Sequence, residues 1–235
     1  MSRLREIQGK LRALADPKRA AVHQRFFKTA PGEYGEGDRF LGIRVPVLRK
    51  LAREYRAISL AETRNLLASS IHEERFLALL IMVSKYRAGN EEEREAIYRL
   101  YLDSTRFINN WDLVDTTAEH IVGDYLRERD RSALRRLASS RNLWERRIAI
   151  LATFHYIKLN SFDETLAIAE ALLDDPEDLI HKAVGWMLRE IGKRDMRTEE
   201  RFLRKRYKAM PRTMLRYAIE KFPEPLRQRY LKGNV

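Results

Sequence analysis

A recurring spacing sets the strongest limit on what this chain can fold into. Phe76, Trp111, Arg147 and Lys182 stand 35, 36 and 35 residues apart. Glu74-Arg75-Phe76-Leu77-Ala78-Leu79-Leu80 resembles Glu145-Arg146-Arg147-Ile148-Ala149-Ile150-Leu151, and Ile180-His181-Lys182-Ala183-Val184-Gly185-Trp186 is a weaker third copy. The run beginning at Asn110-Trp111 falls between the first two. A period of this length fits a two-helix repeat, and such repeats stack into a curved α-solenoid.

The local signals agree with helix nearly everywhere. The 10 glycines and 7 prolines gather between periodic runs. Ser2 to Leu14 reads as an amphipathic helix, and Asp16-Pro17 opens a second that runs to about Thr29. Pro46 starts another. Ser59 with Glu62, Asn90 with Glu93, and Ser161 with Glu164 carry capping-box patterns. Asp175-Pro176 is a further start signal, and Pro211 and Pro223 divide the C-terminal third into short helices. Ala30 to Arg39, with Pro31, Gly32, Gly35 and Gly37, reads as a flexible connection and matches no phosphate-binding fingerprint. No linker or composition shift interrupts the chain. The expectation is an all-α solenoid of two-helix repeats, a single domain over residues 1–235 with a concave basic face.

Composition narrows the partners. The net charge of +12, from 46 basic and 34 acidic residues, favours a polyanion, and nucleic acid is the commonest one. The absence of cysteine excludes disulfides and thiolate metal sites and fits a reducing cytoplasm. Met1 to Glu6 lacks the apolar core of a signal peptide, and the longest apolar run, Leu77 to Val83, is too short to cross a bilayer. The five histidines, His23, His72, His120, His155 and His181, are scattered without a metal-ligand spacing and read as surface or interhelical residues. No membrane, metal or cofactor is expected, and the chain is expected to be a monomer.

Asn109-Asn110-Trp111-Asp112-Leu113-Val114-Asp115 carries the candidate chemistry. Trp111 and Asp115 are four residues apart, slightly more than one helical turn, so they share a face. Asp115 is expected in the first turns of its helix, where free N–H groups favour a carboxylate. Taken alone, Trp111 reads as a core anchor and Asp115 as a helix-start charge. The repeat register adds weight, because equivalent positions line one surface. Trp111, Arg147 and Lys182 would then share a face, joined by Asp115 and Trp186, each four residues beyond a register position. An acid between indoles suits a developing cation. The basic run Arg201 to Lys208 fits a solvated helix face and a DNA-backbone contact equally well.

Four motifs in order bear a resemblance to a known family. They are Phe40-Leu41-Gly42-Ile43-Arg44-Val45-Pro46, Trp111-Asp112-Leu113-Val114-Asp115, Asn142-Leu143-Trp144-Glu145-Arg146-Arg147 and Lys182-Ala183-Val184-Gly185-Trp186-Met187-Leu188-Arg189-Glu190. They resemble the AlkD family of DNA alkylation-repair glycosylases, in matching order from about residue 20 to residue 220. The resemblance implies HEAT-like repeats and monofunctional excision of N-alkylated purines from duplex DNA. It places the catalytic acid at Asp115, aromatic walls at Trp111 and Trp186, and a phosphate-contacting arginine at Arg147. Contacts to DNA are expected from Phe26, Arg44, Arg146, Lys182 and Arg189. The protein would then be cytoplasmic, associated with the nucleoid when bound. The family often carries a second tryptophan where this chain has Asn110, and the aromatic on its second helix is Phe26, without a hydroxyl. A non-catalytic relative that binds damaged or branched DNA, and a helical scaffold for proteins, are the other two readings.

Overall fold

The computed structural model describes residues 3–235. Ser2, expected to open the first helix, lies outside the described residues, and that helix, α1, spans Arg3–Ala13. No strand occurs among the described residues; Arg39 and Ile71 form an isolated parallel bridge. The all-α expectation therefore holds. The chain divides into two compact units, Met1–Thr117 and Ala118–Val235.

The first unit continues with α2 (Pro17–Phe26), α3 (Val45–Glu54), α4 (Leu60–Leu67), α5 (His72–Ala88), α6 (Glu91–Asp103) and α7 (Trp111–Asp115). Its core is α5. Phe76 to Val83 is apolar on every side of that helix and is buried throughout, as a helix with no polar face must be. Leu48 and Leu51 of α3 and Leu66 and Leu67 of α4 pack against it. Both capping boxes expected here form, at Ser59 with Glu62 and at Asn90 with Glu93. Each supplies acceptors to backbone N–H groups that the first helical turn leaves unpaired.

The expected flexible connection after α2 is tied down. Gln24 receives the Phe40 N–H at 2.9 Å and donates to the Asp38 carbonyl at 3.0 Å. The Glu73 carboxylate accepts the backbone N–H groups of Leu41, Gly42 and Ile43 at 2.8, 2.7 and 3.2 Å. Three such donors satisfy the acceptor oxygens of a carboxylate in a buried place. The first turn of α5 thus fixes the C-terminal end of the loop.

The second unit opens with a π-helical turn, Glu119–Gly123, and continues through α8 (Ser132–Ala138), α9 (Leu143–Ala152), α10 (Phe154–Lys158), α11 (Asp163–Ala171), α12 (Asp178–Gly192), α13 (Met196–Arg206), α14 (Arg212–Ala218) and α15 (Glu224–Lys232). Here α12 is central and packs on α9, α13 and α14. Gly185 permits the closest approach. A Cβ there would lie 2.4 Å from the Met214 carbonyl oxygen and 2.5 Å from the Tyr217 Cβ.

Two expected start signals act otherwise. Ser161 does not cap α11, because the helix begins one residue later with Phe162 in the cap position and no side-chain bond. Asp175 does not cap α12, which starts at Asp178. Its carboxylate instead receives Arg146 Nε at 2.6 Å and the Glu177 N–H at 2.9 Å. The repeat register is visible in the helices: Phe76, Arg147 and Lys182 are each the fifth residue of α5, α9 and α12. Trp111 breaks the pattern as the first residue of α7.

Glu199 on α13 is 1 % exposed. A Cβ at Gly192 would sit 1.7 Å from its Oε2, so any side chain there would displace the Glu199 carboxyl. Burial, only partly opposed by the Arg189 charge, pushes the Glu199 carboxyl up to about 9. The folded chain therefore holds a neutral acid that the unfolded chain ionises above its ordinary value near 4.5. Its contribution to stability is lost as pH rises from there toward 9. Glu199→Gln, which is neutral at every pH, should melt at least about 2 °C higher than the parent at pH 8. The two should converge near pH 5. Thermal melts at both pH values check this, and a lower melting point for the variant at pH 8 would refute it.

Candidate functional site

In the first unit the site is built on α7. Asn110 is fully buried, and its side-chain oxygen accepts the Trp111 N–H at 2.9 Å. The indole of Trp111 lies flat on Phe27, with centroids 5.2 Å apart and planes 18° apart. Phe26 meets its edge at 6.0 Å and 72°. Phe26 is 62 % exposed, although a large apolar side chain favours burial. Phe26 and Trp111 therefore present an aromatic edge to solvent, with Phe27 as the buried support.

Asp115 is half-buried and follows Trp111 by one turn. Its placement on the helix corrects one expectation. The α7 helix has only five residues, so Asp115 ends it and receives no help from the helix N-terminus. Asp112 occupies the first turn instead. Asp115 lies near the buried Tyr101, whose hydroxyl bonds to Thr117 Oγ1 at 2.9 Å. Burial raises the Tyr101 hydroxyl far above its usual value; the Thr117 bond lowers it and the Asp115 charge raises it further.

Beneath α7 lies a buried ionic cluster. His72 Nδ1 is 2.9 Å from Asp38 Oδ2, and His72 Nε2 is 2.8 Å from Asp112 Oδ2. Arg75 bonds to Asp38 Oδ1, and Asn110 Nδ2 donates to Asp38 Oδ2 at 3.1 Å. Burial would lower the imidazole pKa, but the Asp112 charge and hydrogen bond, with those of Asp38, raise it to about 9. Asp38 is pulled in two directions. Burial raises its carboxyl, while His72, Arg75 and Asn110 more than offset this and hold it below the usual carboxylate range. Asn110 thus serves as helix cap and as donor to Asp38.

The second unit holds the other expected residues. Trp186 on α12 is half-buried, donates its indole N–H to Glu190 at 3.2 Å and packs on Phe154 at 5.9 Å. Lys158 lies 4.3 Å from the Phe154 ring centroid and pairs with Glu119 at 2.7 Å. Arg147 is 5 % exposed and donates to the Leu179 carbonyl at the start of α12. Arg146 is held by the largely covered side chain of Asp175 and by the carbonyls of Ser140 and Arg141. Lys182 pairs with Asp178 at 2.7 Å, and Arg189 pairs with Glu220. Arg44, in the first unit, is exposed at the start of α3.

These pairings rank the cations. Asp178 and Glu220 are exposed, at 57 % and 46 %, and exposed ion pairs contribute about 0–1 kcal/mol. A phosphate can displace either acid. Asp175 is 3 % exposed, so Arg146 is committed to bracing the turn before α12. The basic run Arg201 to Lys208 turns Phe202, Leu203 and Tyr207 inward, while Arg204 pairs with Glu200 and Arg206 with Glu170.

Sequence reasoning missed Asp38, His72, Phe27 and Phe154. Asp112 lay inside the quoted motif, but without a role. Nothing along the chain links His72 to partners 34 and 40 residues away. Among the described residues, no group of His, Cys, Asp and Glu could hold a metal ion, and no helix is long and apolar enough to cross a membrane.

The comparisons with known proteins bear on this arrangement as a whole. Similar solved structures include a predicted DNA alkylation repair enzyme from Enterococcus faecalis, 17% identical, with a TM-score of 0.68 over 89% of this chain and 97% of that one. AlkD2 from Streptococcus mutans is 17% identical, with a TM-score of 0.55 over 87% and 97%. Smu.31 from Streptococcus mutans UA159 is 18% identical, with a TM-score of 0.53 over 87% and 98%. These identities are low and establish the fold. No curated protein gave a significant sequence match. The family model described as DNA alkylation repair enzyme matches residues 7–222, and the chain belongs to that family.

Proposed function

We propose that this protein is a DNA glycosylase that releases cationic N-alkylated purines, N7-alkylguanine and N3-alkyladenine, from duplex DNA. One observation carries the reading: the half-buried Asp115 carboxylate stands one turn from Trp111, beside the exposed Phe26, in a DNA alkylation repair family member. An alkylated purine already bears positive charge and leaves without protonation. The barrier lies in the oxocarbenium-like sugar formed as the glycosidic bond opens. A fixed carboxylate lowers that barrier electrostatically. Asp115 fills this role and positions the attacking water. Trp111 offers the cationic nucleotide the ring face turned away from Phe27, and in the second unit Trp186 offers another, worth roughly 0.5–2 kcal/mol each.

Phosphate contacts come from Lys182 and Arg189, after exchange of their exposed acids, and from Arg44, with Phe26 against the backbone near the lesion. Arg147 completes the set if its guanidinium turns from the Leu179 carbonyl. In this reading the protein acts as a monomer in the cytoplasm without a cofactor. Incubation with methylated duplex DNA, with a gel shift run alongside, tests the reading. Released alkylpurine supports it.

A second reading has its own support. The burial of Arg147, bonded to a backbone carbonyl, favours a relative that binds damaged or branched DNA without excising a base. A gel shift without release would select it.

A further inference from the structure

The glycosylase reading leaves the cluster under α7 without a task, although it is among the most buried charged groups of the first unit. His72 is 3 % exposed. Both of its ring nitrogens face a carboxylate oxygen, at 2.9 Å on Asp38 and 2.8 Å on Asp112. A neutral imidazole has one N–H and could satisfy only one of them. The imidazolium has two and satisfies both. With Arg75 on Asp38, the four groups joined by these bonds pair two acids, Asp38 and Asp112, with two bases, His72 and Arg75.

The surroundings fix the ring. Phe40 stacks on it at 4.3 Å, and Phe27 lies 5.3 Å away, itself stacked on Trp111. Asp38 faces it from the loop and Asp112 from α7. On α5 its charged neighbours are Glu73 and Arg75, and from α2 His23 approaches Glu73 at 3.9 Å. Asp112 is the residue after Trp111 and three before Asp115. The two bonds of His72 therefore join the end of the loop to the first turn of the helix that carries both candidate site residues.

We infer that His72 is a positioning residue, whose doubly donating ring fastens α7 to the loop at Asp38 and so holds Trp111 and Asp115 in place for excision. The inference rests on the glycosylase reading of Asp115. Losing the second proton donor sets a lone pair of the ring against a carboxylate and leaves a net negative charge buried. The first turn of α7 is then released. Displacing a reacting group by about 1 Å lowers rates by as much as about 100-fold. Binding to unmodified duplex, carried in this reading by Arg44, Lys182 and Arg189, is spared.

The test uses the full chain and two variants, His72→Gln and Asp112→Asn. In single-turnover release of 3-methyladenine, each variant should lower the rate about 10- to 100-fold while changing its affinity for unmodified duplex DNA less than about two-fold. Wild-type release should fall as pH rises through about 9, and His72→Gln should lack that fall. A second readout needs no activity. In NMR spectra the Trp111 indole N–H signal, assigned with Trp111→Phe, should shift with the same midpoint as the His72 ring, and Asp112→Asn should lower that midpoint. Folded variants that release base at the wild-type rate would overturn the inference and leave the glycosylase reading intact. A Trp111 signal indifferent to the His72 titration would overturn it too. If the wild-type chain releases no base, the glycosylase reading fails, and the NMR titration alone decides whether His72 holds α7.

Discussion

Asp115→Asn is expected to slow release of 7-methylguanine and 3-methyladenine about 100- to 1,000-fold, the usual range for removing one preorganised electrostatic stabiliser. Binding to the same duplex should change little. The substitution keeps the shape of the side chain and removes its charge. Asp115 is half-buried at the end of α7, close to the buried Tyr101, where a charge is screened less than in open water. Its anion acts on the sugar only as positive charge develops there, so the loss falls on the chemical step. Single-turnover base release, with affinity measured on the same DNA, separates the two. Excision at the wild-type rate by the variant would remove Asp115 from its assigned role.

Arg147→Met is expected to have two effects that a surface phosphate contact would not show together. Arg147 is 5 % exposed and donates to the Leu179 carbonyl. Methionine keeps an apolar stem of similar length, so the stability loss should be mainly the charged hydrogen bond, about 1.5–3 kcal/mol. If the same guanidinium also meets a phosphate, the dependence of log affinity on log salt becomes shallower by about 0.9. Denaturant unfolding and a salt series of binding measurements check the two parts separately. A stability loss with an unchanged salt slope would make Arg147 a purely structural link between α9 and α12, and would strengthen the reading in which the protein binds DNA without cutting it.

What could be read in the sequence depended on distance along the chain. The capping boxes at Ser59 and Asn90 involve residues three apart, and both form as expected. Ser161 carries the same pattern but does not cap: α11 begins at Asp163 with Phe162 in the cap position, and Glu164 lies 3.7 Å from Arg135. Asp175 fails as a cap because Arg146, 29 residues earlier, claims its carboxylate. At Asp175 a tertiary partner outweighs a local preference worth about 1 kcal/mol.

The candidate site divides in the same way. Trp111 and Asp115 were legible because they lie one turn apart. The fifth-residue register of Phe76, Arg147 and Lys182 was legible because repeats preserve spacing. What the register could not give is exposure. Arg147 is buried while Lys182 is half-buried, since the neighbouring helices decide which side chain reaches solvent. The cluster of Asp38, His72 and Asp112 had no local signal at all. A lone histidine before Glu-Glu-Arg looks like any helix start, and its meaning comes from the loop and from α7.

The most direct measurement is the release of free base from methylated duplex DNA by the unaltered protein. The account predicts 3-methyladenine and 7-methylguanine in the soluble fraction at rates well above spontaneous depurination, with the DNA strand left unbroken at an abasic site. Release no faster than in the protein-free control, under conditions where a gel shift shows the duplex fully bound, would contradict it.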